Sequence, residues 1–207
     1  MGRLTAQDWA RAALGALAGG GLRAVAVEAV ATRLGVSKGS FYWHFANRQA
    51  LVDAALRLWE QDTEAVIAEL ERIDDPARRL RALLEVALDE PTDAAVSFWL
   101  ISGADDPAVA EVARRVTDRR MAVMRDALLR LGQSEEEARA RVVAGYGSYL
   151  GVAALIRIGA VDSAPATFAE QALAEMGVPA EEAGEAEKSE EPEEPEGPDD
   201  REDPEKS

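Results

Sequence analysis

The chain reads as all-α, and two features of its sequence say so. Apolar residues recur at spacings of three and four rather than two, and alanine, leucine, glutamate and arginine, all good helix formers, dominate the composition. No run of alternating β-branched residues offers a strand. Hydrophobic residues make up 47% and charged residues 30% of a 207-residue chain, a balance that supports a soluble protein with a real core.

The elements follow from caps and breakers. The first helix spans Thr5 to Leu17 and stops at Gly19-Gly20-Gly21. A second runs from Val25 to Leu34 and stops at Gly35, and a short third opens at Ser37. A long fourth starts near Asn47 and carries Leu51, Ala55, Leu58, Trp59, Val66 and Leu70 towards Ile73. Asp74-Asp75-Pro76 is a break with a helix-start signature and marks the junction with the C-terminal half. Helices are then expected over Pro76–Asp89, Thr92–Ser102, Asp106–Leu131, Ser134–Gly159 and Ala164–Met176. Asp105-Asp106 and Asp74-Asp75 precede prolines at helix starts, where carboxylates cap and meet the dipole. Ser134 followed by three glutamates is an acidic, capped start of the same kind. Beyond Pro179, high charge and repeated proline with no large apolar side chain predict a disordered acidic tail. The resulting division is an N-terminal unit over residues 1–60, a helical unit over residues 61–178, and the tail over residues 179–207.

Val142–Val161 is twenty residues long with one charge, Arg157, and by length alone is a candidate membrane span. Charged flanks and four glycines favour a helix buried between partners at a subunit interface instead. No membrane association is expected. The absence of cysteine removes disulfides and thiolate metal sites, and the N-terminus lacks the apolar core of a signal peptide. Both suit a cytoplasmic protein.

The formal net charge of -16 argues against nucleic acid until it is divided along the chain. Residues 1–60 carry seven Lys/Arg against four Asp/Glu, whereas residues 181–207 carry three against fourteen. The N-terminal segment is therefore mildly basic, and it holds the informative stretch, Ser37–Phe45. Ala31 is small where two helices would cross, and Gly35 can take the left-handed conformation that ends the first of them. Ser37 is expected to cap the next helix. Its first turn, Lys38-Gly39-Ser40, then faces outward with the partial positive charge of a helix start, suited to base edges and phosphate. Phe41 and Phe45 share a face and are assigned to the core. Tyr42 and His44 fall elsewhere, where they can donate to phosphate, and Trp43 lies against sugar and backbone or caps the small core.

The segments Val27-Glu28-Ala29-Val30-Ala31 and Leu34-Gly35-Val36-Ser37-Lys38-Gly39-Ser40-Phe41-Tyr42-Trp43-His44-Phe45, followed by Arg48 and Leu51, resemble the tetracycline-repressor (TetR) family of transcriptional regulators. The match covers residues 22–52 and is dense. It implies an N-terminal three-helix helix-turn-helix domain joined by a long helix to a C-terminal helical ligand-binding and dimerisation domain. Ser37, Lys38, Gly39 and Ser40 look like the groove-reading turn of double-stranded DNA recognition, and Tyr42, Trp43, His44 and Arg48 like the phosphate contacts. Ala26 departs from the pattern. The family usually opens its second helix with Thr or Ser there, so one backbone contact and about 1 kcal/mol of capping are expected to be missing.

A lone helix-turn-helix makes few contacts, so such modules act as dimers on half-sites about 34 Å apart. The glycine-rich helix and the last helix, with Phe168, Leu173 and Met176, are the expected homodimer surface. A pocket for an unknown small-molecule effector is expected among Phe98, Trp99, Met121, Met124, Tyr146 and Tyr149, which at helical spacing serve equally as plain core. One histidine and no cysteine leave no metal cluster, no cofactor motif and no catalytic pair, so an enzyme is not expected. The function implied is a ligand-released homodimeric repressor on palindromic operator DNA.

Overall fold

In the computed structural model, residues 4–89, 91–103, 106–162 and 167–180 are described. The tail from residue 181, Asp105, and the expected start of the last helix at Ala164 lie outside them. Helices α1 (Ala6–Gly20), α2 (Val27–Arg33), α3 (Lys38–Phe41), α4 (Arg48–Glu71), α5 (Pro76–Asp89), α6 (Pro91–Ser102), α7 (Pro107–Arg130), α8 (Glu135–Arg157) and α9 (Phe168–Glu175) follow in order, with a 3-10 turn at Leu22–Ala24 and no strand among the described residues.

Caps place most of the boundaries near where the sequence puts them. Thr5 opens α1 in a reciprocal capping box, its backbone N–H donating to Asp8 Oδ2 at 2.7 Å while Oγ1 accepts from Asp8 N at 3.2 Å. Ser134 and Glu137 repeat the arrangement at α8. Asn47 accepts from Ala50 N at α4, and Asp106 from Ala108 N at α7. Gly35, at φ 68°, ends α2: Val36 N–H donates to Ala31 O and Gly35 N–H to Thr32 O, a left-handed stop that a side chain would strain.

Two apolar clusters form the core. The first surrounds Trp9, Leu17, Phe41, Leu51 and Trp59, and also takes in Val96 and Leu100 of α6 and Val109, Ala113 and Val116 of α7. The helix-turn-helix is thus welded to the body through α4 and α6. Gly21 sits at one such contact: at φ 67°, a Cβ there would meet the Trp99 ring at 2.8 Å. Trp99 also carries the Arg157 guanidinium over its ring, 4.0 Å from the ring centre. The second cluster joins Leu80, Leu84, Met124, Leu128, Val142, Tyr146 and Met176.

Between α4 and α7 an outer row of ion pairs runs along the groove. Arg115 grips Glu60 with two bonds, at 2.8 and 3.0 Å, and Arg119 spans Glu64 and Glu71. Exposed pairs of this kind set register more than stability. Near that row lies a polar knot that ties four helices. Arg120 (α7) donates to both carboxylate oxygens of Asp93 (α6) at 2.8 and 2.9 Å, and also to Thr63 Oγ1 (α4) and Ser97 Oγ (α6). Trp59 Nε1–H (α4) donates to Asp93 at 2.7 Å, and the Tyr149 hydroxyl (α8) reaches the same carboxylate at 3.4 Å. Burial opposes the charge on Arg120, but Asp93 beside it outweighs burial and raises its pKa. Burial and the Asp93 charge together push the Tyr149 phenol far up, so it stays a donor.

No helix among the described residues is long and apolar enough to cross a membrane. Helix α8 instead buries Val142, Tyr146 and Tyr149 while Val143 and Leu155 remain exposed, as does Ile158 just past its end.

Removing one member of a buried pair leaves the other charge uncompensated, so Asp93→Ala should lower stability by about 3 kcal/mol. The double change Asp93→Leu with Arg120→Met should lose much less. Urea unfolding followed by circular dichroism measures both; equal losses would show that packing, not the charge, is what Asp93 supplies.

Candidate nucleic-acid interface and cavity

The turn between α2 and α3 is built from the small core beneath it. Phe41 is fully buried edge-on to Trp9 at 5.5 Å between ring centres and stacked on Phe45 at 5.7 Å. With Phe41 and Phe45 inward, their neighbours turn outward. Tyr42 is 61% and Trp43 80% exposed, so Trp43 caps no core. His44 is half-buried, 6.5 Å from the Trp9 ring centre. Ser37, Lys38 and Gly39 are exposed at the start of α3, with Ser40 half-buried.

Three details differ from the expectations drawn from sequence. Helix α3 is only four residues long, and Ser37 stands at its N-cap position without making a side-chain capping bond. Lys38 is ion-paired with Glu28 of α2, which draws the Glu28 pKa down and raises that of Lys38. Arg48 does not simply project from α4. Its Nε–H donates to Val25 O at 2.6 Å and its terminal nitrogen to Leu22 O, so it fastens the 3-10 turn and the entry to α2. That role matters because Ala26, at the N-cap of α2, makes no side-chain cap. The weak opening of α2 is braced from α4.

A cavity of about 520 Å³ is lined from α1, α4, α5, α6, α7, α8 and α9, with Arg33 reaching it from the end of α2. Of the six residues expected to line a pocket, Met124, Tyr146 and Tyr149 do so. Phe98, Trp99 and Met121 do not: Trp99 is occupied by Gly21 and Arg157, Phe98 packs edge-on to Trp99, and Met121 packs on the second cluster. The wall the sequence reading missed is the polar knot, Trp59, Thr63, Asp93 and Arg120. A signal for it exists. In α7 the buried stripe runs Val109, Ala113, Val116, then Val123, Met124 and Ala127, and Arg120 falls in its gap. A charge within an apolar stripe announces a buried partner. On the cavity wall the Tyr146 hydroxyl is buried with no hydrogen-bond partner among the described residues, and Met176 is almost fully enclosed.

The surface expected for dimerisation divides. Leu173 and Met176 of the last helical segment are buried in the chain's own core. On α8, Val143, Gly147, Gly151 and Leu155 are exposed at four-residue intervals, and a Cβ at either glycine would meet nothing within 4 Å. No group of three or more metal-binding side chains occurs among the described residues.

Residues 11–61 match the family model described as bacterial regulatory proteins, tetR family. Among solved structures, a transcriptional regulator from Rhodococcus sp. Rha1 is similar at 28% identity and a TM-score of 0.68, over 84% of this chain and 95% of that one. A TetR-family transcriptional regulator from Rhodococcus sp. is 21% identical, with a TM-score of 0.67 over 84% and 97% of the two chains. A transcriptional regulator from Saccharomonospora viridis in complex with choline is 17% identical, with a TM-score of 0.67 over 81% and 92%. The last two likenesses are of fold. No curated protein matches the chain.

Arg48→Ala should cost about 1–2 kcal/mol, because it unfastens two carbonyls at the entry to α2. Thermal unfolding would register the loss. A variant as stable as the parent would return Arg48 to the role of a surface charge.

Proposed function

We propose that the chain, whose N-terminal segment matches the tetR family model, acts as a homodimeric transcriptional repressor of that family: it binds a palindromic operator through α2 and α3 and leaves it when a small molecule fills the cavity behind them. It is a transcription factor, not an enzyme. The observation that carries the reading is the shared helix. Arg48 begins α4 within the helix-turn-helix, while Trp59, Thr63, Ile67 and Leu70 of the same helix line the cavity.

The proposed roles follow from exposure. Ser37, Lys38, Gly39 and Ser40 meet base edges and the adjoining backbone, with Lys38 leaving Glu28 as it enters the groove. Tyr42, Trp43 and His44 meet phosphate and sugar, where a large exposed aromatic finds apolar contact. Arg48 supports that face from below and offers its remaining donors to phosphate. The operator half-sites would lie about 34 Å apart, which requires two copies held at fixed spacing. The exposed α8 stripe of Val143, Gly147, Gly151 and Leu155 supports close helix pairing between them. With DNA as partner the site of action is cytoplasmic.

Release needs an element that feels both sites. Helix α6 does so as well as α4, since Asp93 and Ser97 sit in the knot and Trp99 presses on Gly21 at the end of α1. A ligand that shifts the knot would move Trp99 and with it the helix-turn-helix. Two recognition turns at the wrong spacing cannot both enter the groove.

Fluorescence anisotropy with the protein's own upstream DNA, beside random DNA and across salt, tests the proposal. Sequence-selective binding by two chains per site is expected; weak binding without preference at any salt would overturn it. Lys38→Ala should lower affinity for the operator far more than for random DNA, and equal loss on both would remove its base-reading role. His44→Ala should weaken binding on every sequence and reduce the salt slope by about one. Trp43→Ala should weaken binding without lowering the melting temperature, since its ring is 80% exposed.

A further inference from the structure

Resting on the reading of the cavity as the effector site, we propose that its ligand is an amphipathic monoanion, an apolar body carrying a single carboxylate, with Arg33 as the residue that selects the charge. The argument begins with the cavity's lining. Apolar side chains from several helices, Leu14, Ile67, Leu84, Val96, Met124 and Met176 among them, form its body. Such a wall favours a largely apolar molecule, and about 520 Å³ admits one of substantial size.

The charged groups on the lining then set the sign of the head. They are three arginines, Arg11, Arg33 and Arg120, and two aspartates, Asp62 and Asp93. Arg120 and Asp93 cancel at the inner wall in a bidentate pair, and Asp93 accepts further bonds from Trp59 and Tyr149, so neither has capacity for a charged ligand without breaking the knot. Arg11 and Asp62 pair at 3.4 Å with side chains 61% and 48% exposed, which marks the cavity's solvent end. Arg33 remains. It has no ion-pair or hydrogen-bond partner among the described residues, and the cavity therefore carries one uncompensated positive charge.

Its position is set by a glycine. Arg33 reaches from α2 across to α1, where its guanidinium lies so close to Gly15 that a Cβ there would sit 3.1 Å from Cζ. Gly15 is one turn from Arg11, so the free guanidinium stands at the same solvent end. A molecule entering tail first would place its apolar body against Met124 and Met176 and leave its head at Arg33, whose planar fork matches a carboxylate. A cationic head would meet the wrong sign. A neutral head would leave the guanidinium as it is. Because Arg33 belongs to α2, the carboxylate would bind the helix-turn-helix itself and not only the body behind it.

The test uses three probes with one tail and different heads, decanoate, decan-1-ol and decyltrimethylammonium, titrated calorimetrically into the full chain below their micelle concentrations. Decanoate should bind the parent about tenfold more tightly than either other probe. Arg33→Gln, an exposed change, should remove that preference and leave decan-1-ol unaffected; Asp62→Asn should strengthen decanoate by freeing Arg11. Equal affinities for decanoate and decan-1-ol, unchanged by Arg33→Gln, would overturn the anionic class while the cavity keeps its role as effector site. So would tightest binding of the cation. If none of the three binds, the effector-site reading falls with the proposal. Arg33→Gln weakening operator binding while leaving decanoate affinity intact would assign the guanidinium to DNA and overturn its part here.

Discussion

Four helices converge on one carboxylate. Asp93 receives Arg120 from α7, Trp59 from α4 and Tyr149 from α8, and Arg120 in turn holds Thr63 and Ser97. Moving these charges out of water is costly, and the cost is offset because the bonding capacity of the carboxylate is nearly filled. A half-satisfied version of the same network would be worse than an apolar wall. The knot therefore admits few arrangements, and it specifies how α4, α6, α7 and α8 stand around the cavity. An apolar core of comparable volume would tolerate small slides of one helix over another; directed bonds to a single acceptor do not.

That constraint reaches the helix-turn-helix. Helix α4 runs unbroken from Arg48, which braces the entry to α2, to the residues on the cavity wall. Helix α6 carries the acceptor and, two turns on, the Trp99 ring that packs against Gly21. The first apolar cluster joins the helix-turn-helix to α6 and α7 without a seam. Rigid elements that are shared, with no mobile linker between the parts, are what allow a small change at one end to become a change of aim at the other. Arg33, without an ion-pair partner among the described residues, lies at the cavity but on α2.

The short helix-turn-helix was legible because its requirements are local. A left-handed stop needs glycine at Gly35, and aromatic residues four apart bury together at Phe41 and Phe45; the acidic, serine-capped start of α8 at Ser134 is local in the same way. Each is set within a few residues of chain, so spacing reveals it. Arg48 was harder. Its spacing suggested a phosphate contact, but its guanidinium turns to carbonyls more than twenty residues back in sequence, and no local pattern encodes that. The cavity was harder still. Large adaptable side chains drew attention to Phe98, Trp99 and Met121, although chemistry on a cavity wall is decided by which helix faces meet.

By itself, then, the sequence determined the all-helical class, the positions of most caps and stops, the small aromatic core and the exposed face of the recognition turn, since all depend on periodicity and neighbours along the chain. Only the tertiary structure decided that Asp93 and Arg120 share a site, that Trp99 serves as a wedge against Gly21 in place of a pocket wall, and that Arg33 has no counter-charge among the described residues. Those facts concern residues 27, 78 and more than a dozen positions apart. They follow from where helices cross, and crossing geometry is set by packing the whole core at once.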